Sequence, residues 1–431
     1  MTLCLKGAAP LGGKPVDVLV ADGTIAEIGR GLSGDRTIDA DGLVLLPGLV
    51  DLHAHLREPG REDAETVGSG SAAAALGGFT AVHAMANTDP VADTAEIVEQ
   101  VARLGREVGL VEVRPVGAVS RGLAGEHLAE IGNMARSAVA VRIFSDDGRC
   151  VHDARLMRRA LEYVKPFDAA VAQHAQDPRL ADAVACAHEG ELSGRLGLAG
   201  WPAVAEASVV ARDVMLAEHV GSRLHVCHVS TAASVEVIRW AKSRGVAVTA
   251  EVTPHHLLLT TDLLESYDPV YKVNPPLRPD EDVAVLRAAL ADGTIDAVAT
   301  DHAPHARHDK DHAFGEAAFG MLGLQTALGV VAEAMVSTGL LDWASVADRM
   351  SVRPAAIGRL TGHGRPIQAG EPANLVLVDP VGAWTVDPDR LASRSRNTPY
   401  AGRTLPSRVV ATLFRGEPTV LDAELATAVP A

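Results

Sequence analysis

Aromatic side chains are scarce in this sequence, at 3% of residues, and there are only four cysteines, Cys4, Cys150, Cys186 and Cys227. The cysteines stand far apart with no C-x-x-C pair, so no disulfide framework is expected and the thiols read as reduced. Positive charge is also short: 39 basic residues face 55 acidic ones, for a formal net charge of −16. That balance argues against non-specific binding to nucleic acid or to anionic membranes. Long apolar runs are missing. The stretch from Leu43 to Val50 is far too short to span a bilayer, and Met1 to Lys6 opens no apolar signal-peptide core. Neither a P-loop nor a G-x-G-x-x-G after the first strand is found, which counts against an open doubly wound nucleotide-binding sheet. A cytoplasmic protein, neither membrane-bound nor nucleic-acid-binding, is the expectation.

What remains is ample for a large fold: 431 residues, 47% of them hydrophobic and 22% charged, about right for a barrel plus an accessory domain. The first fifty residues read as short strands and turns. Val16–Val20 and Thr24–Ile28 are separated by the turn pair Asp22-Gly23, and further strands are expected at Thr37–Ala40 and Leu43–Pro47. From residue 48 the texture changes to short apolar runs alternating with Ala-rich helical stretches. Strands are expected at Gly48–His53, Thr80–Met85, Val111–Val116, Ala138–Phe144, Ala170–His174, Arg223–His228, Ala247–Glu251 and Ala297–Asp301. Helices are expected at Arg155–Lys165, Ala203–His219 and Ala232–Arg244. Eight strands alternating with helices predict an α/β protein with a closed (β/α)₈ TIM barrel over 48–360. Strand texture returns at Asn374–Asp379 and Val409–Gly416, so residues 1–47 and 361–431 are expected to join in a small β-sandwich.

The chemistry is expected at the strand ends, where a barrel of this type assembles its active site. His53, His174, His228 and Asp301 each close a predicted strand, and His55 follows His53 in an H-x-H pair. Residues i and i+2 of an extended segment point the same way, so both imidazoles can reach one ion. Neutral imidazoles with a carboxylate suit Zn²⁺, which lowers the pKa of a bound water to about 7 and polarises a carbonyl oxygen. Such a site also needs a group to carry a proton from water to a leaving nitrogen. Asp301 is the candidate.

The string Asp51-Leu52-His53-Ala54-His55-Leu56-Arg57-Glu58-Pro59-Gly60 resembles the dihydroorotase signature of the amidohydrolase superfamily. Ala299-Thr300-Asp301-His302-Ala303-Pro304-His305 resembles the second signature of that family. Glu251–Leu257, Val273–Arg278 and Ser395–Tyr400 also match, so the resemblance covers nearly the whole chain. It implies reversible hydrolysis of dihydroorotate to N-carbamoyl-aspartate in pyrimidine biosynthesis. It further implies one zinc at His53, His55 and Asp301, and a second, if present, at His174 and His228. Many amidohydrolases bridge two metals with a carboxylated lysine, but no lysine lies between Lys14 and Lys165. The segment Phe144–Gly148 instead resembles a subclass with an aspartate bridge, and counting back from His174 favours Asp147 over Asp146. Turn-shaping by both aspartates is the alternative.

The resemblance also implies that Arg57 grips the substrate carboxylate through its fork, with Asn87 and His305 completing that pocket. Asn274 and the backbone of Phe319 and Gly320 would contact the ring. Family members usually carry Pro where Ala86 stands, which bears on the loop around Asn87. Competing readings are another cyclic amidohydrolase (a hydantoinase, dihydropyrimidinase or allantoinase) and a non-catalytic scaffold subunit for aspartate transcarbamoylase. The latter would lack metal ligands, and none is missing here. Beside the small-molecule substrate, a homodimer and a complex with aspartate transcarbamoylase are left open by the sequence. His255, His256 and His302 are read as structural residues, His308 and His312 as members of a solvated, mobile loop. Cys150 and Cys227 are read as core residues, and Gly48, Gly77 and Gly78 as packing glycines. The charged segment from Asp301 to Gly315 has the composition of a lid.

Overall fold

Parallel strands alternating with helices can bury every apolar strand only by closing on themselves or being covered on both faces, and this chain closes. In the computed structural model, which describes residues 2–426, eight parallel strands follow in order. They are Leu49–Ala54, Phe79–Ala84, Glu112–Pro115, Ile143–Phe144, Ala170–Gln173, Arg223–Val226, Val248–Val252 and Ala297–Val298. The first three pair as one sheet and the last five as another. Parallel bridges at Gly117–Phe144 and Ala54–His302 join both seams and complete the barrel. Leu52, Met85, Val116, Ile143, Ala172, Cys227, Ala297 and Ala299 fill its interior together with Ile357, as the packed centre of such a barrel requires.

The three helices expected from the sequence occur at Ala154–Val164, Val204–Val220 and Ala232–Ser243. The first shows why they form. Asp153 caps it by accepting from the Leu156 amide at 2.7 Å, and Leu156, Met157, Ala160, Leu161 and Val164 are buried along one stripe. The fourth barrel strand is much shorter than Ala138–Phe144. Ala140 sits at φ 50°, which turns the chain out of the extended region, and the Arg114 guanidinium takes the Val139 carbonyl at 2.8 Å.

Both termini build one sheet. Its order runs Glu424–Leu425, Glu417–Leu421, Thr404–Phe414, Leu375–Thr385, Val44–Pro47, Thr2–Pro10, Val16–Ala21 and Thr24–Gly29, with Arg36–Asp39 beside Thr2–Pro10. Where a sandwich is expected, the terminal strands form one continuous sheet with its own core of Leu3, Leu5, Val18, Val20, Ile25, Leu375, Leu377, Ala411 and Leu413. Period-two alternation divides its residues: Leu375 and Leu377 face that core, while Val376 and Val378 join the barrel core. The strand Thr2–Pro10 does not stand out in the sequence, because Lys6-Gly7 interrupts its apolar run; in the fold Gly7 lies at φ 76° beside a register shift.

Candidate active site

The C-terminal ends of the strands bring His53, His55, Asp147, His174, His228 and Asp301 into one buried cluster, each at most 5% exposed. The His53–His55 pair ends the first strand, Asp147 follows the fourth, His174 the fifth, His228 the sixth and Asp301 the eighth. His228 and Asp301 take positive φ values of 32° and 45°. Side chains adopt that region only when surrounding structure holds them there, which is a mark of functional turns.

Asp147 lies between two pairs of histidines. One oxygen, Oδ2, is 3.2 Å from His53 Nε2 and 3.3 Å from His55 Nε2. The other, Oδ1, is 3.3 Å from His174 Nδ1 and 3.2 Å from His228 Nε2. Asp301 Oδ1 closes the first group, 3.1 Å from His55 Nε2 and 3.5 Å from His53 Nε2. These separations are close to the ~3.3 Å edge of a tetrahedron built on metal–nitrogen bonds of about 2.0–2.1 Å. His53, His55 and Asp147 form one group able to hold a metal ion, and Asp147, His174 and His228 form another. His53 Nε2 is buried without a hydrogen-bond partner, as a ligand atom aimed at an ion would be. Asp146 turns the other way: it accepts from the Val119 and Ser120 amides at 2.8 and 2.9 Å and from the Ser120 hydroxyl. It shapes the loop.

The electrostatics favour a cation. Burial disfavours a charged imidazole at His53, yet the carboxylates of Asp147 and Asp301 hold its proton affinity well above the ordinary value. Likewise burial opposes the charge on Asp301, but His53 and His55 keep its carboxyl well below the usual carboxylate range. Two buried carboxylates therefore draw positive charge to this centre, and a divalent ion satisfies the same demand.

Groups behind the cluster orient it. His53 Nδ1 donates to Glu251 Oε1 at 2.8 Å, and Glu251 Oε2 accepts from His225 Nε2 at 2.9 Å. His55 Nδ1 donates to Asn87 Oδ1 at 2.9 Å, and His174 Nε2 to Gln176 Oε1 at 2.9 Å. Each bond fixes the tautomer and frees the opposite nitrogen toward Asp147. Despite burial, His225 and His53 hold Glu251 down to about 2, so it stays ionised. Glu251→Gln is expected to weaken metal binding about 10–100-fold, measured by competition with a chromophoric chelator. Unchanged affinity would remove Glu251 from this role.

Asp51 ties the first strand to the eighth. It accepts from the Thr300 amide at 2.8 Å, the Thr300 hydroxyl at 2.6 Å and the His53 amide at 3.3 Å, and burial pushes it up to about 7. The orienting contacts of Glu251, Asp51 and Gln176 cannot be read from the sequence. Glu251 and Asp51 stand inside recognisable strings, but nothing in a string says which partner a side chain meets.

Arg57, at φ 62°, spends its Nε on the Pro304 carbonyl at 3.0 Å, and its Nη2 lies 3.4 Å from His305 Nε2. Burial lowers the guanidinium to about 10, so it remains charged at neutral pH. Burial, with Arg57 alongside, lowers His305 to about 3, leaving its ring neutral and its Nε2 donating to the Phe319 carbonyl at 2.7 Å. Asn87 uses its oxygen on His55 and keeps its amide nitrogen available. Asn274 donates to Gln176 at 3.1 Å, while its Oδ1 is a buried acceptor without a partner.

Other histidines follow simpler rules. His302 bonds Glu65 at 3.1 Å and the Gly323 amide at 3.1 Å, and His256 bonds Thr253 at 2.8 Å and Pro275 at 3.2 Å. His255 departs from the hydrogen-bonded reading, since its Nε2 is buried without a partner. His308 is exposed. The segment carrying it is anchored, however, by the Arg61–Asp309 pair at 2.6 Å and by a buried Lys310. Cys227 lies in the barrel interior within reach of His53 and Glu251. A Cβ on Gly48 would come within 2.4 Å of Thr80, in keeping with close packing.

A closed parallel barrel with imidazoles and carboxylates gathered at its C-terminal mouth defines a metal-dependent hydrolase of the amidohydrolase type. The solved structures agree. The L-hydantoinase of Arthrobacter aurescens superposes with a TM-score of 0.88 at 25% identity, over 99% of this chain and 98% of that one. The dihydropyrimidinase of Brevibacillus agri gives 0.84 at 23%, over 99% and 96%. In sequence, a family model described as dihydro-orotase-like matches residues 42–234. A dihydroorotase of Streptomyces coelicolor is 66% identical over 98% of this chain and 99% of its own length. One of Mycobacterium tuberculosis is 57% identical over 99% and 100%. The chain belongs to the dihydroorotase family.

Proposed function

We propose that the chain is a dihydroorotase, interconverting dihydroorotate plus water with N-carbamoyl-aspartate, and that its metal is zinc. The observation that carries this reading is Asp147, one carboxylate oxygen toward each pair of histidines, with the charged Arg57 two residues beyond His55. His53, His55 and Asp301 would hold one ion, His174 and His228 a second, and Asp147 would bridge them. When bound, zinc lowers the pKa of water and polarises the amide carbonyl.

The protein's own groups do the rest. Arg57 binds the substrate carboxylate through its Nη groups, flanked by Asn87 and His305. The free Oδ1 of Asn274 accepts from a ring N–H, and the Phe319–Gly320 backbone lies against the ring. Water oxygen adds to the ring amide carbon while its proton passes to Asp301, already ionised. The C–N bond then breaks as Asp301 returns that proton to the departing nitrogen. The reverse sequence closes the ring, the biosynthetic direction.

A cytoplasmic location belongs to the same proposal. Among the described residues no helix is long and apolar enough to cross a membrane. In this reading residues 48–360 would be the catalytic unit, and the described parts of 1–47 and 361–431 the accessory one. Size-exclusion chromatography of the chain, alone and mixed with aspartate transcarbamoylase, reads out self-association and that complex.

The hydantoinase reading has the structural likeness in its favour. Turnover of dihydroorotate, hydantoin, dihydrouracil and allantoin decides between them, and cleavage of the uncharged rings alone would overturn the assignment. For the metal, Asp147→Ala is expected to lose about one zinc per chain by elemental analysis; a full complement in the folded variant would dismiss the bridge.

A further inference from the structure

Lys310 ends the short turn Arg307–Lys310 in the charged segment after Asp301. The side chain of its neighbour His308 is 74% exposed, whereas Lys310 is 8% exposed. A buried ammonium needs an acceptor for each of its three N–H groups. Lys310 Nζ donates to the carbonyls of Lys272 at 3.3 Å, Ala318 at 2.8 Å and Gly320 at 3.1 Å. Three donors meet three backbone oxygens. Burial, with the charge of Lys272 nearby, lowers the proton affinity of this group, and the three carbonyl acceptors offset that cost.

Two of those carbonyls flank Phe319. Residues 318–320 lie in no helix or strand, so their course is set by what grips them. His305 holds the Phe319 carbonyl at 2.7 Å, and Asn397 donates to Gly320 O at 3.1 Å and Ala303 O at 3.0 Å. Gly320 adopts φ 135°, and a Cβ there would come within 2.7 Å of the Ala303 Cβ and 3.0 Å of His305 Nε2. The backbone therefore passes hard against the carboxylate-binding side of the site, and Lys310 grips it from behind.

We infer that Lys310 is a positioning residue for substrate binding, its buried ammonium drawing the Ala318 and Gly320 carbonyls together and so presenting the Phe319–Gly320 backbone to the substrate ring. This rests on the reading above that Phe319 and Gly320 contact substrate. Lys310 Nζ bonds three backbone carbonyls and none of the candidate metal ligands. Removing it should loosen the binding surface without altering the proton transfer.

Lys310→Met keeps an apolar stem of similar length and removes all three donors. Its KM for dihydroorotate is expected to rise about tenfold with kcat within about threefold of wild type, and its zinc content to be unchanged. In hydrogen–deuterium exchange of the ligand-free proteins, amides over 316–322 should exchange faster in the variant. These include Ala318 and Gly320, whose amides donate to Asp309 O at 2.9 Å and Lys272 O at 3.0 Å. Lys310→Gln, which retains two donors, should fall between, and it carries the test if the Met variant does not fold. Unchanged KM, or a loss confined to kcat or accompanied by loss of zinc, overturns the inference. Failure of wild type to turn over dihydroorotate would instead overturn the proposed activity, while the exchange data would still report on the grip of Lys310.

Discussion

Asp301→Asn is expected to lower kcat about 10²–10⁴-fold, the range for loss of a positioned proton carrier. The amide keeps the size of the side chain and one oxygen that can face His55, but it cannot accept a proton from water. In the folded protein Asp301 is an ionised carboxylate, held so by His53 and His55 against the penalty of burial. It also lies 3.1 Å from His55 Nε2, so metal content must be measured beside rate. With zinc retained, a fall in kcat at constant KM assigns the proton transfer to Asp301. Full activity would refute the mechanism. A loss that tracks zinc alone would reduce Asp301 to a ligand.

Arg57→Met should raise KM for dihydroorotate about 10–100-fold, the worth of roughly 1.5–3 kcal/mol from hydrogen bonds to a charged group. Turnover of an uncharged ring such as dihydrouracil, however slow, should change little, since it carries no carboxylate to lose. Arg57→Lys should not restore binding, because Nε already bonds the Pro304 carbonyl at 3.0 Å and an ammonium cannot reproduce the fork. Burial lowers the Arg57 guanidinium but leaves it charged at neutral pH, where carboxylate binding is therefore present. Initial rates against substrate concentration check each point. Equal losses on charged and uncharged rings would remove Arg57 from the specificity pocket.

Much of the fold was legible because its signals are local. All eight barrel strands fall where short apolar runs end in His, Asp or a turn, and three helices follow from the Ala-rich stretches between them. The departures have local causes that a pattern does not reveal, such as Ala140 at φ 50° shortening the fourth strand. The cluster of candidate ligands was legible for a different reason. Parallel strands in a closed barrel all point their C-terminal ends to one mouth, so strand-end residues must converge. Lys310 was the opposite case. It sits in a run of charges that reads as solvated, and only the fold shows it gripping three carbonyls.

By itself the sequence determined the barrel, the family, and the residue types that arrive at the mouth: His53, His55, His174, His228 and Asp301. Periodicity and strand direction suffice for the barrel and its mouth, because they say where a side chain points within a regular element, while the family follows from the Asp51–Gly60 and Ala299–His305 strings. The tertiary structure decided which neighbour each group meets. It turned Asp147 toward the histidines and Asp146 toward Ser120, set Glu251 behind His53 across 198 positions of chain, and placed Lys310 under Phe319. Asp146 and Asp147 lie in an irregular loop with no period to orient them. Contacts between distant segments arise only when strand register and loop path bring them within hydrogen-bond distance.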